Sequence, residues 1–325
     1  MLPMSFEKNR QIHALIRRIE IVAEDIVCVE LSPANGGRFP PFSAGSHVDV
    51  FIDEKTIRQY SISNDPSDCS YYRLAIQKEP QSRGGSKAIH ESFRAGDLIR
   101  IGEPRNHFCL AEDDVKVVLV AGGIGVTPIL SMAYRLTAKG TDFAFHLCVR
   151  SRERAAFVDE ISTSPFAARF ELHLDDGGPQ QRFNPDNAFA DLTQTSAVYV
   201  CGPRGFMEFV AGAARRSGIR PERIHTESFV SAAVDGEEEF EVVTARTGKV
   251  LLVRHNKSIA ETLEEAGICP ILSCEQGICG TCLTKVISGE VDHRDTFQTN
   301  AEKIGNSMIA ICCSRARSKQ LVLDI

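Results

Sequence analysis

Hydrophobic and polar positions follow three regimes along this chain. Up to about residue 110, short apolar runs are separated by Gly, Pro, Asn and Asp turns. The runs are Ile26–Leu31, His47–Ile52, Ile57–Ser63, Tyr71–Gln77 and Leu98–Ile101. That pattern predicts a small antiparallel β-barrel. One short helix, Ser86–Phe93, interrupts it after Ser82-Arg83-Gly84-Gly85. From Lys116 the pattern changes. Lys116–Ala121 is a continuous apolar run, as expected for a parallel strand covered on both faces. A glycine-rich turn, Gly122–Pro128, leads into a helical stretch to about Ala138. Strands at Ala144–Arg150, Phe170–Leu174, Ala197–Cys201 and Arg223–Glu227 alternate with helices around Arg154–Ile161 and Gly205–Ser217. This βαβ series predicts an α/β domain with a parallel sheet. Residues 230–238 are small and end acidic, as a linker does. The third regime opens with a hairpin, Phe240–Ala245 and Val250–Arg254, around Thr247-Gly248. A helix with Ser258-Ile-Ala-Glu261 as capping box, a cysteine-rich loop and a closing strand, Leu321–Ile325, complete it. The expected organisation is multidomain, with limits at 1–110, 111–229, 230–238 (linker) and 239–325.

A length of 325 residues suits two or three domains. The net charge of −6 argues against nucleic acid as a partner. No apolar run reaches the roughly 18 residues of a membrane span, and the first ten residues lack the apolar region of a signal peptide. Eleven cysteines in such a chain point to a reducing, cytoplasmic setting and to free thiols or metal ligands.

Three of those cysteines, Cys274, Cys279 and Cys282, stand in a C-x4-C-x2-C pattern, with Cys312 thirty residues later. This is the spacing of plant-type [2Fe–2S] ligands. Gly277 and Gly280 lie inside the loop, where the absence of Cβ lets the backbone wrap tightly. Spacing alone leaves the fourth ligand open between Cys312 and Cys313, which a strand would point to opposite faces. Cys28, Cys69, Cys109 and Cys148 are expected to be small buried hydrophobes.

In the middle regime, Gly122, Gly123 and Gly125 form a turn between a buried strand and a helix, where N–H groups attract phosphate. Thr127 is expected to cap the helix and Pro128 to open it. A second turn, Cys201-Gly202-Pro203, ends a later parallel strand, the edge at which open α/β sheets bind ligands. In the first regime Arg58 and Tyr60 share one strand face. Arg83, Gly84, Gly85 and Ser86 supply a guanidinium, backbone donors, a hydroxyl and a helix N-terminus, all suited to one phosphate. Tyr60 adds an aromatic face for a flat ring. A phosphorylated planar cofactor is expected there. The nine histidines are scattered, none at metal spacing with another His or Cys, and His293 is expected in a solvated turn.

These motifs occur in order: Arg58-x-Tyr60-Ser61, Gly84-Gly85-Ser86, Pro104-Arg105-Asn106-x-Phe108, Gly122–Pro128, Cys201-Gly202-Pro203 and the four cysteines. In this the chain resembles, over its whole length, the phthalate dioxygenase reductase and vanillate O-demethylase reductase group, the reductase components of two-component Rieske oxygenases. The resemblance implies a ferredoxin reductase-type FMN barrel, an NAD domain and an α+β, β-grasp, plant-type ferredoxin domain. It places Arg58, Tyr60 and Ser61 on the flavin, and the backbone of Ala75, Ile76 and Lys78 with Arg83, Gly84, Gly85 and Ser86 around the FMN ribityl phosphate. Phe229 would stack on the flavin ring. The tail pattern Cys-x-Ser-Arg-Ala makes Cys312 the ligand and Cys313 a spare thiol. Arg150, Ser151 and Arg152 would meet the adenosine ribose. Arginines there suit a 2′-phosphate, hence NADPH, whereas the vanillate-type relatives imply NADH. Thr127 and Cys201 would neighbour the nicotinamide, though Cys201 equally suits simple packing. No side chain is expected to act as a catalytic base. Electrons would run from NADH through FMN and a [2Fe–2S] cluster to an external Rieske-type aromatic ring-hydroxylating dioxygenase or O-demethylase, from a monomer without nucleic-acid or membrane partners. The competing readings are an FAD-dependent reductase for another acceptor and a non-enzymatic ferredoxin-like carrier. Glu261, Glu264 and Glu265 form either a docking patch or a solvated helix face.

Overall fold

A computed structural model of the protein describes residues 11–53, 56–79, 84–229, 238–255, 257–272, 277, 280–295 and 297–325. The chain divides into two compact units, Met1–Ser228 and Phe229–Ile325.

The first unit begins with an antiparallel barrel built from β1 (Ile12–Ala23), β2 (Ile26–Pro33), β3 (Ser46–Phe51), β4 (Ile57–Ser61) and β5 (Tyr72–Gln77), then α1 (Gly85–Ser92), β6 (Leu98–Ile101) and the short β7 (Arg105–Asn106). The strands run β4-β3-β6-β1-β2-β5, with β7 beside β3, and an Ile62–Leu74 bridge brings the two ends of this path together. Alternate residues Ala14, Ile16, Val29, Leu31, Val48, Val50, Leu74 and Ile76 fill the interior. β1 is absent from the sequence expectation because a register shift between Ile16 and Arg18 breaks its period-two pattern. Cys28 and Cys148 are buried as expected, but Cys109 is exposed and Cys69 half-buried.

The same unit continues with β8 (Lys116–Gly122), α2 (Val126–Lys139), β9 (Asp142–Val149), α3 (Val158–Thr163), β10 (Phe170–Leu174), α4 (Pro185–Ala188), β11 (Ala197–Cys201), α5 (Arg204–Arg216) and β12 (Ile224–Glu227). The sheet order is β10-β9-β8-β11-β12, and every pairing is parallel. The order reverses between β8 and β11, so their C-terminal ends border the crevice where such sheets bind ligands.

Ion pairs join barrel and sheet: Arg154 meets Glu24 at 2.9 Å on the surface, and a second pair is more buried. Arg73 on β5 donates from Nη1 and Nη2 to the two carboxylate oxygens of Glu160 on α3, at 2.7 and 2.9 Å. The Tyr134 hydroxyl donates to the same carboxylate at 2.6 Å. The Arg73 guanidinium also lies 4.8 Å from the Phe157 ring centroid and donates to the Ser63 carbonyl at 3.0 Å. A planar fork bonded along its edge and packed on one face by a ring fixes orientation as well as distance.

The second unit contains β13 (Phe240–Thr244), β14 (Val250–Val253), α6 (Ile259–Glu265), β15 (Leu283–Ser288), β16 (Val291–Asp292), α7 (Asn300–Gly305), β17 (Met308–Ala310), β18 (Arg315–Ala316) and β19 (Gln320–Leu323). Its sheet runs β14-β13-β19-β15-β17, with β13 and β19 parallel, and β16 pairs with β18. The capping box at Ser258 and Glu261 forms as expected, and Thr299 with Glu302 forms another. The helix α6 packs Ile259 and Leu263 against the core of this sheet. The linker expected at 230–238 falls almost wholly outside the described residues.

Replacing Glu160 with Ala leaves the Arg73 guanidinium, only 10% exposed at its side chain, without its counter-charge. Urea unfolding of that variant is expected to show a loss of about 3 kcal/mol, as for a broken, largely buried pair.

Candidate functional site

The glycine turn after β8 and the Gly-Pro turn after β11 interlock. A Cβ on Gly125 would stand 2.2 Å from the Cys201 carbonyl oxygen, and one on Gly202 would stand 3.0 Å from the Gly122 Cα. A Cβ on Gly122 would meet the Phe206 ring at 2.7 Å. Gly123 takes a left-handed φ of +56°. Bare backbone therefore lines the crevice between β8 and β11 beside a helix N-terminus, a setting that suits an anionic diphosphate. The helix α2 starts at Val126, earlier than expected. Its N-cap is Gly125, and Thr127 donates to the Ile124 carbonyl at 3.1 Å instead of capping. Pro128 accordingly sits third in the helix, where a missing N–H still costs nothing. Pro203 is the N-cap of α5, on the same edge. Arg150 and Arg152 are exposed just beyond β9, with Ser151 between them half-buried.

Beside these turns, Thr127 and Cys201 are buried. Burial, reinforced by the neighbouring Glu227 carboxyl, pushes the Cys201 thiol well above its usual range. Glu227 is the strand partner of Cys201. One of its oxygens is buried without a hydrogen-bond partner, and burial lifts its pKa to about 8. Both groups are thus held uncharged near neutral pH. Glu227 stands two residues before Phe229, and nothing in local spacing marks its carboxyl as partly buried. Phe229 itself is half-buried and is the first residue of the second unit.

On the barrel, Arg58 and Tyr60 face Val50 and Val48 across the β3–β4 pairing, and Ser61 is buried next to them. The Arg58 side chain lies over Gly85: a Cβ there would be 2.8 Å from Arg58 Cγ and 3.0 Å from Nε. Glycine at 85 is what allows a guanidinium from β4 to reach the N-terminus of α1. Gly84, at φ +94°, is the cap of that helix. The Ser86 hydroxyl accepts the Glu79 N–H at 3.1 Å, which pulls the two ends of the intervening loop together. Burial raises the Tyr60 phenol pKa, so the ring stays neutral. β5 bridges to Ile62, just past β4, through Leu74. Among the described residues no strand pairs with the far edge of Ala75, Ile76 and Lys78, and His90 hydrogen-bonds the Ile76 carbonyl at 2.9 Å. Arg83 lies outside the described residues. A guanidinium, a glycine-capped helix end and an open strand edge next to a phenol form a cradle for a phosphorylated, flat molecule.

In the second unit, Cys282 and Cys312 are buried with their sulfurs 3.3 Å apart, close enough to share one metal ion. Both belong to the unit's apolar core. Cys274 and Cys279 lie outside the described residues. Cys312 and Cys313 occupy a turn after β17, not a strand, so alternation is not what separates them. Cys313 packs on the loop instead: a Cβ on Gly277 would be 2.3 Å from its sulfur. Gly277 and Gly280 have φ of +75° and +72°, and a Cβ on Gly280 would meet the Phe297 ring at 2.6 Å. At both positions a left-handed φ and a close neighbour leave room for glycine alone. The tail is anchored nearby. Ser314 accepts the Arg294 N–H at 3.1 Å, and Arg315 donates to the Lys257 carbonyl at 2.7 Å while covering the Phe240 ring at 4.9 Å. His293 is not solvated, since its side chain is 8% exposed and sits 3.8 Å from the buried Asp295 carboxylate.

A cavity of about 320 Å³ between Phe42–Ala44 and Arg135–Ala138 contains none of the expected residues. No helix among the described residues is long and apolar enough to cross a membrane.

A flavin reductase-type barrel and a parallel nucleotide-type sheet in one unit, with a thiol-bearing module beyond them, define a modular electron-transfer reductase. Residues 243–317 match the family of 2Fe-2S iron-sulfur cluster binding domains. The vanillate O-demethylase oxidoreductase of a Pseudomonas species is 46% identical over 97% of this chain and 100% of its own length. Phthalate dioxygenase reductase, a solved structure described as modular for electron transfer from pyridine nucleotides to [2Fe–2S], superposes with a TM-score of 0.74 at 35% identity, covering 97% of this chain and 98% of its own. An intact type IV self-sufficient cytochrome P450 monooxygenase matches 97% of this chain with 41% of its own length, at TM-score 0.73 and 34% identity. The chain belongs to the vanillate O-demethylase oxidoreductase family.

The half-buried Glu227 has a measurable signature. Glutamate ordinarily titrates at 4.5, and here folding raises that to about 8. Between these values the folded chain holds a proton that the unfolded chain has lost. This contribution is therefore full below the unfolded value and declines as pH rises toward about 8, by at most about 1.4 kcal/mol per pH unit. Urea unfolding at about pH 5.5 and about pH 7.5 is expected to show this decline in the native protein and to lack it in Glu227→Gln.

Proposed function

We propose that this protein takes a hydride from NADH at an FMN held on the barrel and passes the electrons singly, through a [2Fe–2S] cluster, to a Rieske-type oxygenase or O-demethylase acting on an aromatic compound. The observation that carries this reading is the buried Cys282–Cys312 pair, 3.3 Å between sulfurs, in a chain whose other unit bears both a phosphate cradle and a dinucleotide-type edge. When bound, the flavin converts a two-electron donor into one-electron transfers that the cluster can accept.

The chain's own groups bind, orient and stay neutral. In this reading Arg58, Arg83, Gly84, Gly85 and Ser86 hold the FMN phosphate. Tyr60 and Ser61 face the ring, and the backbone of Ala75, Ile76 and Lys78 lines its edge. Phe229 is the aromatic that would stack on the flavin ring where nicotinamide must enter. Gly122, Gly123, Gly125, Pro128, Gly202 and Pro203 border the pyrophosphate. Thr127 and Cys201 flank the nicotinamide, and the uncharged state of Cys201 and Glu227 keeps fixed charge away from the transferring hydride. Arg150, Ser151 and Arg152 meet the adenosine ribose of NADH. Cys274, Cys279, Cys282 and Cys312 are the cluster ligands. No general base is required. The domain limits 1–110, 111–229 and 239–325, a monomeric state and a cytoplasmic location belong to the same reading.

Substituting Cys279 with Ser is expected to abolish the cluster's visible spectrum while NADH still bleaches the flavin. Simultaneous loss of flavin reduction would contradict the assignment of the two steps to separate units. Arg58→Ala is expected to weaken FMN retention by about 1.5–3 kcal/mol, the worth of a charged hydrogen-bond partner. Unchanged retention on gel filtration would move the phosphate elsewhere, and release of FAD on denaturation would favour the FAD-dependent alternative.

A further inference from the structure

Pairing of β9 with β10 assembles a set of donors that no local spacing announces. His146 lies on β9, and Glu171 and His173 lie on β10. Register places Glu171 opposite His146 and His173 opposite Cys148, so all three side chains leave the same face of the sheet. His146 Nδ1 is 3.0 Å from His173 Nε2. A single Glu171 carboxylate oxygen stands 3.7 Å from the first and 3.8 Å from the second. Three donor atoms thus form a closed triangle. Phe183 walls it on one side, with its ring centroid 5.4 Å from His146 and 5.2 Å from His173. The His146 ring is buried, and its Nε2 has no partner, so its polar engagement is directed through Nδ1 into the triangle. Glu171 approaches from the solvent side, its side chain 68% exposed.

We propose that His146, Glu171 and His173 bind a zinc ion. Ligand distances of 2.0–2.2 Å in a tetrahedral site imply donor separations of about 3.3–3.6 Å. The triangle reaches this once the two imidazoles part by a few tenths of an ångström from 3.0 Å and the exposed Glu171 carboxylate closes in slightly. Two imidazoles and one carboxylate are a zinc donor set, and they leave the fourth position to water. The ion would tie the edge strand β10 to β9. The turn after β10 is already tied to the end of β9, because the Asp175 and Asp176 N–H groups donate to the Val149 and Arg150 carbonyls at 3.0 and 3.1 Å. Zinc would thereby stiffen the segment that carries Arg150–Arg152. This assignment does not depend on the cofactor reading above.

The test is a Zn²⁺ titration of the flavin- and cluster-loaded protein against a chromophoric chelator. One site is expected that weakens by more than about 10-fold in Glu171→Gln and in His173→Gln, since even outer-shell changes cost about 10–100-fold. Because Glu171 is exposed, its variant keeps the fold and decides the matter should His173→Gln fail to fold. Co²⁺ in place of Zn²⁺ is expected to give visible d–d bands without a thiolate charge-transfer band. Unchanged affinity in Glu171→Gln, or a thiolate band showing the metal on the cysteines, overturns the assignment.

Discussion

The fork between Arg73 and Glu160 is the contact on which the redox half of this protein depends. Hydride transfer is a contact reaction, so a ring held on the barrel and a ring held on the sheet must meet within van der Waals distance. Two modules joined only by a strand of chain would meet in many orientations. A bidentate guanidinium–carboxylate pair, steadied by Tyr134 and Phe157, fixes one of them. Glu24 and Glu153 add a second tie, a backbone hydrogen bond of 2.7 Å between the β1–β2 turn and the segment after β9. These ties explain why barrel and sheet form one compact unit while the cluster module forms another.

Within each module the same physical device recurs: an absent Cβ lets two pieces of backbone, or a backbone and a side chain, come closer than any other residue permits. Gly125 against the Cys201 carbonyl brings together the two turns at the sheet's binding edge. Gly85 beneath Arg58 lets a strand guanidinium reach a helix end. Gly277 lies against the Cys313 sulfur and Gly280 against the Phe297 ring. In all three places a methyl group would displace its neighbours.

The outline of both units was legible because it rests on local signals. The continuous apolar run at Lys116–Ala121 and the turns after it marked the parallel sheet, and the capping box at Ser258 marked α6. β1 escaped because its bulge between Ile16 and Arg18 breaks the alternation, and β7 because it is two residues long. Helix α2 starts before Thr127 because glycine backbone, not a hydroxyl, caps it. His293 looked solvated because its neighbours are charged, yet the chain folds it beside the buried Asp295.

Spacing marked the C-x4-C-x2-C run, the glycine turns and the order of the three modules, because each is a short stretch in which a few residues meet one chemical demand; it left Cys312 and Cys313 undistinguished. Tertiary structure alone decided which distant groups became neighbours. It set Cys312 against Cys282 from a turn where strand alternation has no meaning, and it paired Cys201 with a half-buried Glu227. It also gathered His146, Glu171 and His173 across two strands. The reason is register: which residues lie opposite one another follows from how whole strands pack, and no window of sequence around either partner carries that information.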